Sequence, residues 1–310
     1  MTPLREHIRA ELAMSVVPAV SAFAEKLAAE ARRAPFGILF YGSSLRSGDL
    51  SGVLDFYVVL EQLEDWPRGP ATRIANRLLP PNVEHHEMAV EGGVLRAKVA
   101  ILSLSQFTRL TRGYSLDSSV WARFAQPVAL VFARDEASTQ RLIAAVGAAV
   151  ATAAAWAARL GPEEGPPLAF WHELFARTYA SELRVEKAGR AVSIVDAAPE
   201  RFAAILVPAL QTAGIETEQR ADGSLRPLVS TAERRTALGA WWRRRLLAKP
   251  LNMARLAKAA FTFKGGADYI VWKIARHSGV EIRLSPWQRR HPILASGPVL
   301  WRLWRRGVLR

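Results

Sequence analysis

The sequence predicts an α+β fold: a mixed sheet with helices over residues 1–135, a helical domain over 136–240 and a basic, tryptophan-rich helical region over 241–310. Three observations predict it. Between residues 36 and 102, four short apolar runs too continuous for amphipathic helices are separated by glycine, proline and polar stretches, the signature of strands. From residue 136 apolar side chains recur at helical spacing instead. The two textures are joined by segments rich in turn formers, of which Gly161-Pro162-Glu163-Glu164-Gly165-Pro166-Pro167 is the clearest linker.

Taken in order, residues 4–33 have helical spacing and many alanines, ended by Pro35. Phe36-Gly37-Ile38-Leu39-Phe40-Tyr41 reads as a buried strand, broken by Gly42-Ser43-Ser44. Val53 to Leu60 is a second strand, interrupted in character only by Asp55, and residues 70–79 form a short helix stopped by Pro80-Pro81. Val83 to Val90 and Val94 to Leu102 are two further strands about a Gly92-Gly93 turn, giving four in all. Residues 136–160, 168–187, 198–213 and 231–277 are helical, the last interrupted at Pro250, and 214–230 is polar and turn-rich. Leu142 to Ala158 carries no charge, but it is mostly alanine and slightly short for a bilayer, which predicts a packed helix and not a membrane span.

Half of the 310 residues are apolar and 23% are charged, so the chain has the composition of a globular protein. The absence of cysteine excludes disulfides, thiolate zinc sites and a cysteine nucleophile. Glu6, Glu11, Glu25 and Glu30 alternate with arginines near the start, against the pattern of a targeting peptide, and a cytoplasmic location is expected. The net charge of +14 resides in one segment: residues 241–310 hold sixteen Lys and Arg against two acids, while the remainder holds 26 of each sign. That segment also carries six of the ten tryptophans, and its charge calls for an anionic partner.

The chemistry suggested by the first half centres on Gly42-Ser43-Ser44 and Asp55. A glycine after a strand lets the backbone approach a phosphate, turn amides and a serine hydroxyl donate to it, and an aspartate on the next strand can hold Mg²⁺ against the same phosphates. The alternative is that Asp55 caps the turn or pairs with an arginine such as Arg46. Lys98 and Arg123 read equally as site cations or surface residues, Glu61 as a second ligand or a solvated strand end, and His85-His86 as an exposed strand pair.

The stretch YGSSLRSGDLSGVLDFYVVL resembles the nucleotidyltransferase core of the mitochondrial-type phosphatidate cytidylyltransferases, the translocator-maintenance family of CDP-diacylglycerol synthases. Downstream, Leu95-Arg96-Ala97-Lys98-Val99-Ala100-Ile101 is similar to that family's lysine-bearing strand, and Val120 to Val128 to its Ala-Gly-Arg-Leu-x-Lys-Pro-Val segment. Thr178 to Glu186 is similar to its Ser-Tyr-x-Gly-Asp-x-Arg-Met-Glu segment, followed by Val192-Ser193-Ile194-Val195 and Lys264-Gly265-Gly266 in matching order. The chain departs from the pattern at Ser44 (Gly in the family), Gln126 (Lys) and Ser181-Glu182 (Gly-Asp). The resemblance implies a nucleotidyltransferase-like sheet followed by a winged-helix-like helical part. It also implies a Mg²⁺-dependent condensation of CTP with phosphatidate that feeds phospholipid synthesis. In that reading Asp55 and Lys98 are catalytic, Asp55 also being the metal ligand, and Gly42, Ser43, Ser44, Arg123, Tyr179, Glu182 and Arg184 bind nucleotide and phosphate.

Tyr57 stands where nucleotidyltransferases place a second acid, and Arg96 and Lys98 where a third acid would fall. Those acids activate alcohols, whereas a phosphomonoester is already largely dianionic at neutral pH and needs cations instead. The spacing therefore points to a phosphate acceptor, with a non-lipid acceptor or a non-catalytic nucleotide- or membrane-binding protein as the alternatives. In the C-terminal segment Arg302, Arg305 and Arg306 share one helical face, with Trp301 and Trp304 roughly opposite, the pattern of a helix in an anionic membrane interface. Trp241-Trp242-Arg243-Arg244-Arg245 is a second such candidate. Tryptophan among arginines also suits nucleic acid, but the apolar grouping favours a membrane, so peripheral attachment to the inner face and no specific nucleic acid are expected.

Overall fold

Proline sets the first elements. Pro3 and Pro18 each begin a helix, where the missing N–H costs nothing, so α1 spans Pro3–Leu12 and α2 spans Pro18–Glu30. The single helix expected over 4–33 is thus two, because the residue before a proline is driven out of the helical region, and Val17 is extended at φ −61°, ψ 142°. The computed structural model describes residues 2–113, 117–181 and 194–262, together with Ser285.

Strand β1 (Gly37–Tyr41) is followed by a five-residue helix α3 (Ser43–Ser47), β2 (Val53–Leu60), α4 (Pro70–Leu78), β3 (Asn82–Val90) and β4 (Gly93–Ser103). Ser103 then caps α5 (Leu104–Leu110): its hydroxyl accepts from the Gln106 amide at 3.3 Å, and the Gln106 side chain accepts from the Ser103 amide at 2.9 Å. Helix α6 (Ser119–Phe124) leads into β5 (Val128–Ala133), a fifth strand where four were expected. The sheet runs β3-β4-β2-β1-β5 and is mixed: β2 and β4 are parallel, and the other pairs are antiparallel.

Strand alternation divides the core in two. On one face Ile38, Phe40, Leu54, Phe56, Val58, Val99 and Ile101 meet Val20, Phe23 and Leu27 of α2. Phe56 lies between Phe23 and Phe40, with ring centroids 5.5 and 5.1 Å away. On the other face Leu39, Tyr57, Val59, Ala100 and Leu102 join one large cluster drawn from α1, α5, α6 and the later helices. Those helices are α7 (Glu136–Leu160), α8 (Pro167–Ser181), α9 (Pro199–Thr212) and α10 (Thr231–Thr262). Helix α7 is long and apolar enough to cross a membrane, yet 72% of its most apolar stretch is buried inside the protein. The polar, turn-rich segment 214–230 contains a small hairpin, β6 (Thr217–Gln219) and β7 (Leu225–Pro227). Helix α10 runs through Pro250 without interruption. Pro250 and Leu246 are both exposed, so water can reach the carbonyl that the proline leaves without an amide donor.

His85 and His86 are not an exposed pair: their side chains are only 4% and 9% exposed. His86 joins an ionic cluster beneath β3, bonding Glu84 at 3.1 Å and Glu30 at 3.3 Å. Glu84, 1% exposed, accepts two bonds from Arg68, at 2.7 and 2.5 Å, and also takes the Trp66 indole N–H. Burial pushes the Glu84 carboxyl up, but the bonds from His86 and Arg68 outweigh it and hold the carboxyl below its ordinary value of 4.5. A depressed carboxyl stabilises the fold above the ordinary value, and that contribution is lost as pH falls through the lowered one. Arg68→Met strands a buried carboxylate and is expected to cost about 3 kcal/mol at neutral pH. Chemical denaturation across pH checks this: the difference from wild type must shrink as pH falls below 4.5.

Candidate functional site

The register carries one row of residues across all five strands: Val128, Tyr41, Asp55, Lys98 and His85 are successive partners. Paired residues project on one face, so Asp55 and Lys98 stand side by side on the face that holds Tyr57. Asp55 is half-buried and Lys98 is exposed, while Tyr57, Val58 and Val59 beyond them are buried. Burial pushes His85 below its ordinary value of 6.5, so the end of this row is neutral at pH 7.

Gly42 turns the chain out of β1 with φ 99° and ψ −163°, a region essentially closed to residues with a Cβ. The turn also packs closely on the carboxylate: a Cβ at Gly42 would lie 3.0 Å from Asp55 Oδ2. Ser43 and Ser44 follow as the first residues of α3, Ser43 exposed and Ser44 buried. The turn expected at this point is present, lies directly over Asp55 and leads straight into α3.

Arg123 reaches the site from α6. Its Nη1 donates to the Tyr57 hydroxyl at 3.0 Å and to the Ser119 carbonyl at 3.4 Å, and its guanidinium lies 5.9 Å from the Tyr41 ring centre. Tyr41, Tyr57 and Phe124 pack edge to face or tilted, with centroids 4.9 to 6.0 Å apart, and form an aromatic shelf beneath the guanidinium. Tyr57 is two residues along β2 from Asp55, about 7 Å on the same face. The turn after α6 is fixed by Arg201 of α9, which donates to the Ala125 carbonyl at 2.7 Å and pairs with Glu11 of α1. Glu11 in turn accepts from the Val128 amide at 3.2 Å.

Gly42, Ser43, Ser44, Asp55, Lys98 and Arg123 are thus gathered around one end of one sheet face. Tyr179 lies in the last turn of α8 and packs against the large core. Glu182, Arg184, Trp301, Arg302, Trp304, Arg305 and Arg306 lie outside the described residues, as do Val192-Ser193 and Lys264-Gly265-Gly266. Glu61 pairs with Arg134 at 2.6 Å. The sequence reading missed Tyr57 as the partner of Arg123; its place two residues after Asp55 on a strand is the signal that puts it on the same face.

Among the described residues no group of three or more His, Asp or Glu converges as a cation site. Mg²⁺ does not require one: it keeps several waters and is commonly held by one or two carboxylates together with substrate phosphates. A single half-buried carboxylate, Asp55, beside the Gly42 turn fits that mode of binding. No family model matches the chain, and no curated protein is significantly similar to it.

Gly42→Ala combines a forbidden backbone region with a contact on Asp55 and is expected to cost about 1–3 kcal/mol. Gly52→Ala, where an added Cβ meets nothing within 4 Å, is the control. It should stay within about 0.5 kcal/mol of wild type in the same thermal melts.

Proposed function

We propose that this chain is a nucleotidyltransferase whose acceptor is a phosphate, condensing CTP with phosphatidate to CDP-diacylglycerol and pyrophosphate at an anionic membrane surface. The observation that carries the reading is the composition of the site. One carboxylate, Asp55, stands beside a glycine turn, with Lys98 in register next to it, and the place of a second acid is taken by Tyr57, whose hydroxyl is bonded to Arg123. Such a site neutralises anions and has no second carboxylate on β2 to deprotonate an alcohol. The five-stranded mixed sheet is compatible with a nucleotidyltransferase-like fold, and the β6–β7 hairpin between α9 and α10 is the element that fits a wing. Cytidine and the lipid are supported by the ordered resemblance of the motifs around Tyr41-Gly42-Ser43, Lys98, Arg123 and Tyr179.

In this reading a dianionic phosphate oxygen of the lipid attacks the α-phosphorus of CTP, a new P–O bond forms, and the bond to the β-phosphate oxygen breaks. The electron pair leaves with pyrophosphate. The amides after Gly42 and the Ser43 hydroxyl hold nucleotide phosphate. Lys98 and Arg123 offset the repulsion between acceptor and donor, which are both anionic. Tyr57 keeps the guanidinium of Arg123 aimed along the sheet face and acts by positioning. Asp55 would hold Mg²⁺, whose chemistry there is charge neutralisation on the phosphates.

Purified protein incubated with each labelled nucleoside triphosphate, Mg²⁺ and phosphatidate vesicles is expected to move label from CTP alone into the lipid extract, and chelation should abolish it. Asp55→Asn and Arg123→Ala should each lower the rate by about a hundredfold or more. Undiminished transfer in Asp55→Asn removes the assigned metal site, and transfer only to hydroxyl acceptors overturns the phosphate reading.

A further inference from the structure

Helix α10 has an inner and an outer side. Inward, Ala237, Trp241 and Arg244 are buried. The Trp241 ring centre is 5.5 Å from that of Trp156 and 6.5 Å from that of Trp121, and Arg244 lies 4.2 Å from the Trp156 ring centre while donating to the Gly113 carbonyl at 2.7 Å. Further along, Arg255 and Lys258 are also turned inward, bonding Asp117 and the Pro80 carbonyl, and the Leu79 and Pro81 carbonyls. The run Trp241-Trp242-Arg243-Arg244-Arg245 is therefore split: Trp241 and Arg244 belong to the core, and Trp242, Arg243 and Arg245 face outward.

Outward, Leu238, Trp242, Leu246 and Met253 are 49%, 62%, 53% and 64% exposed. Their spacing of four, four and seven places them on one stripe about 22 Å long. Exposed Arg235 and Arg245 lie within the same sector of the helix and exposed Arg243 beside it. Between 231 and 262 the helix carries eight Lys and Arg and a single acid, Glu233. A contiguous exposed apolar stripe marks an interaction surface, and arginines flanking it decide the kind of partner. A second copy of the same helix would set arginine against arginine. Single-stranded nucleic acid would use aromatic faces, yet three of the four stripe residues are aliphatic. An anionic lipid surface satisfies both parts: Leu, Met and Trp enter the acyl–headgroup boundary while the arginines meet headgroup phosphates. Beside the stripe, Arg243, Leu246 and Leu247 line a groove of about 670 Å³ with Trp156, and none of the residues around Asp55 contributes to it.

We infer that the outer face of α10 is a membrane-docking surface that lays Leu238, Trp242, Leu246 and Met253 into an anionic bilayer. The surface stands on α10 alone and shares with the proposed function only the membrane, so vesicles free of phosphatidate, without nucleotide, test it separately.

The 310-residue chain is floated with phosphatidylcholine vesicles and with vesicles containing phosphatidylglycerol. Binding is expected only to the anionic vesicles, weakening as salt rises from about 0.1 to about 0.5 M. The double variant Trp242→Glu, Leu246→Glu should lower the bound fraction at least about tenfold with an unchanged thermal midpoint, because both side chains are exposed. Leu228→Glu, an exposed apolar position outside the stripe, should float as wild type does. Wild-type flotation by the double variant overturns the inference. So does retention of single-stranded RNA in place of vesicles, or a dimer in sedimentation that the double variant dissociates while vesicle binding is absent.

Discussion

Strand β2 sets the terms for the rest of the molecule. It is the middle strand of the sheet, and from Phe56 to Leu60 it is buried on both faces, by α2 on one side and by the large helical cluster on the other. An ionised carboxylate on such a strand needs water or a charged or hydrogen-bonding partner within reach. Asp55 sits half-buried, under the Gly42 turn and beside Lys98. The helices that close over Tyr57 and Val59 also define where the sheet face opens. Arg201 and Glu11 hold the neighbouring α6–β5 turn in place, although they come from helices on either side of the sheet in sequence order.

The charges at this opening have a common logic. A site built on several carboxylates suits a neutral acceptor that must lose a proton. Here the second position is a tyrosine, which contributes a neutral hydroxyl and binds a cation, so the local balance shifts from acid toward base. The proposed acceptor is an anion for the same reason. The outer face of α10 repeats the theme at larger scale, with arginines around an apolar stripe.

Much of the frame was legible because it rests on local signals. The apolar runs of β1 and β2, the glycine between them and Asp55 within the second run all fall where continuous hydrophobicity and turn chemistry put them. What was not legible depended on contacts distant in sequence or on competition between local signals. Val128 to Ala133 is a strand-like apolar run in its own right, but its place beside Tyr41 at the edge of the sheet is a pairing that local pattern does not reveal. Pro18 outweighs the alanine-rich helix signal around it, whereas Pro250 does not interrupt α10, because solvent reaches the freed carbonyl. The bond between Tyr57 and Arg123 joins residues 66 apart. The sequence registered Tyr57 only as an absent acid.

The meeting of Trp121, Trp156 and Trp241 bears on how far the molecule can be dissected. Trp121 stands two residues before Arg123 on α6, Trp156 belongs to α7, and Trp241 belongs to α10. A chain ending before α10 would keep every residue named around Asp55 and yet lose the Trp241 cover over Trp121, at the root of the short helix that carries Arg123. Large-to-small losses of that kind in a core cost several kcal/mol. The last helix is in this sense a keystone, bearing on the site through Trp121 and not through any residue beside Asp55.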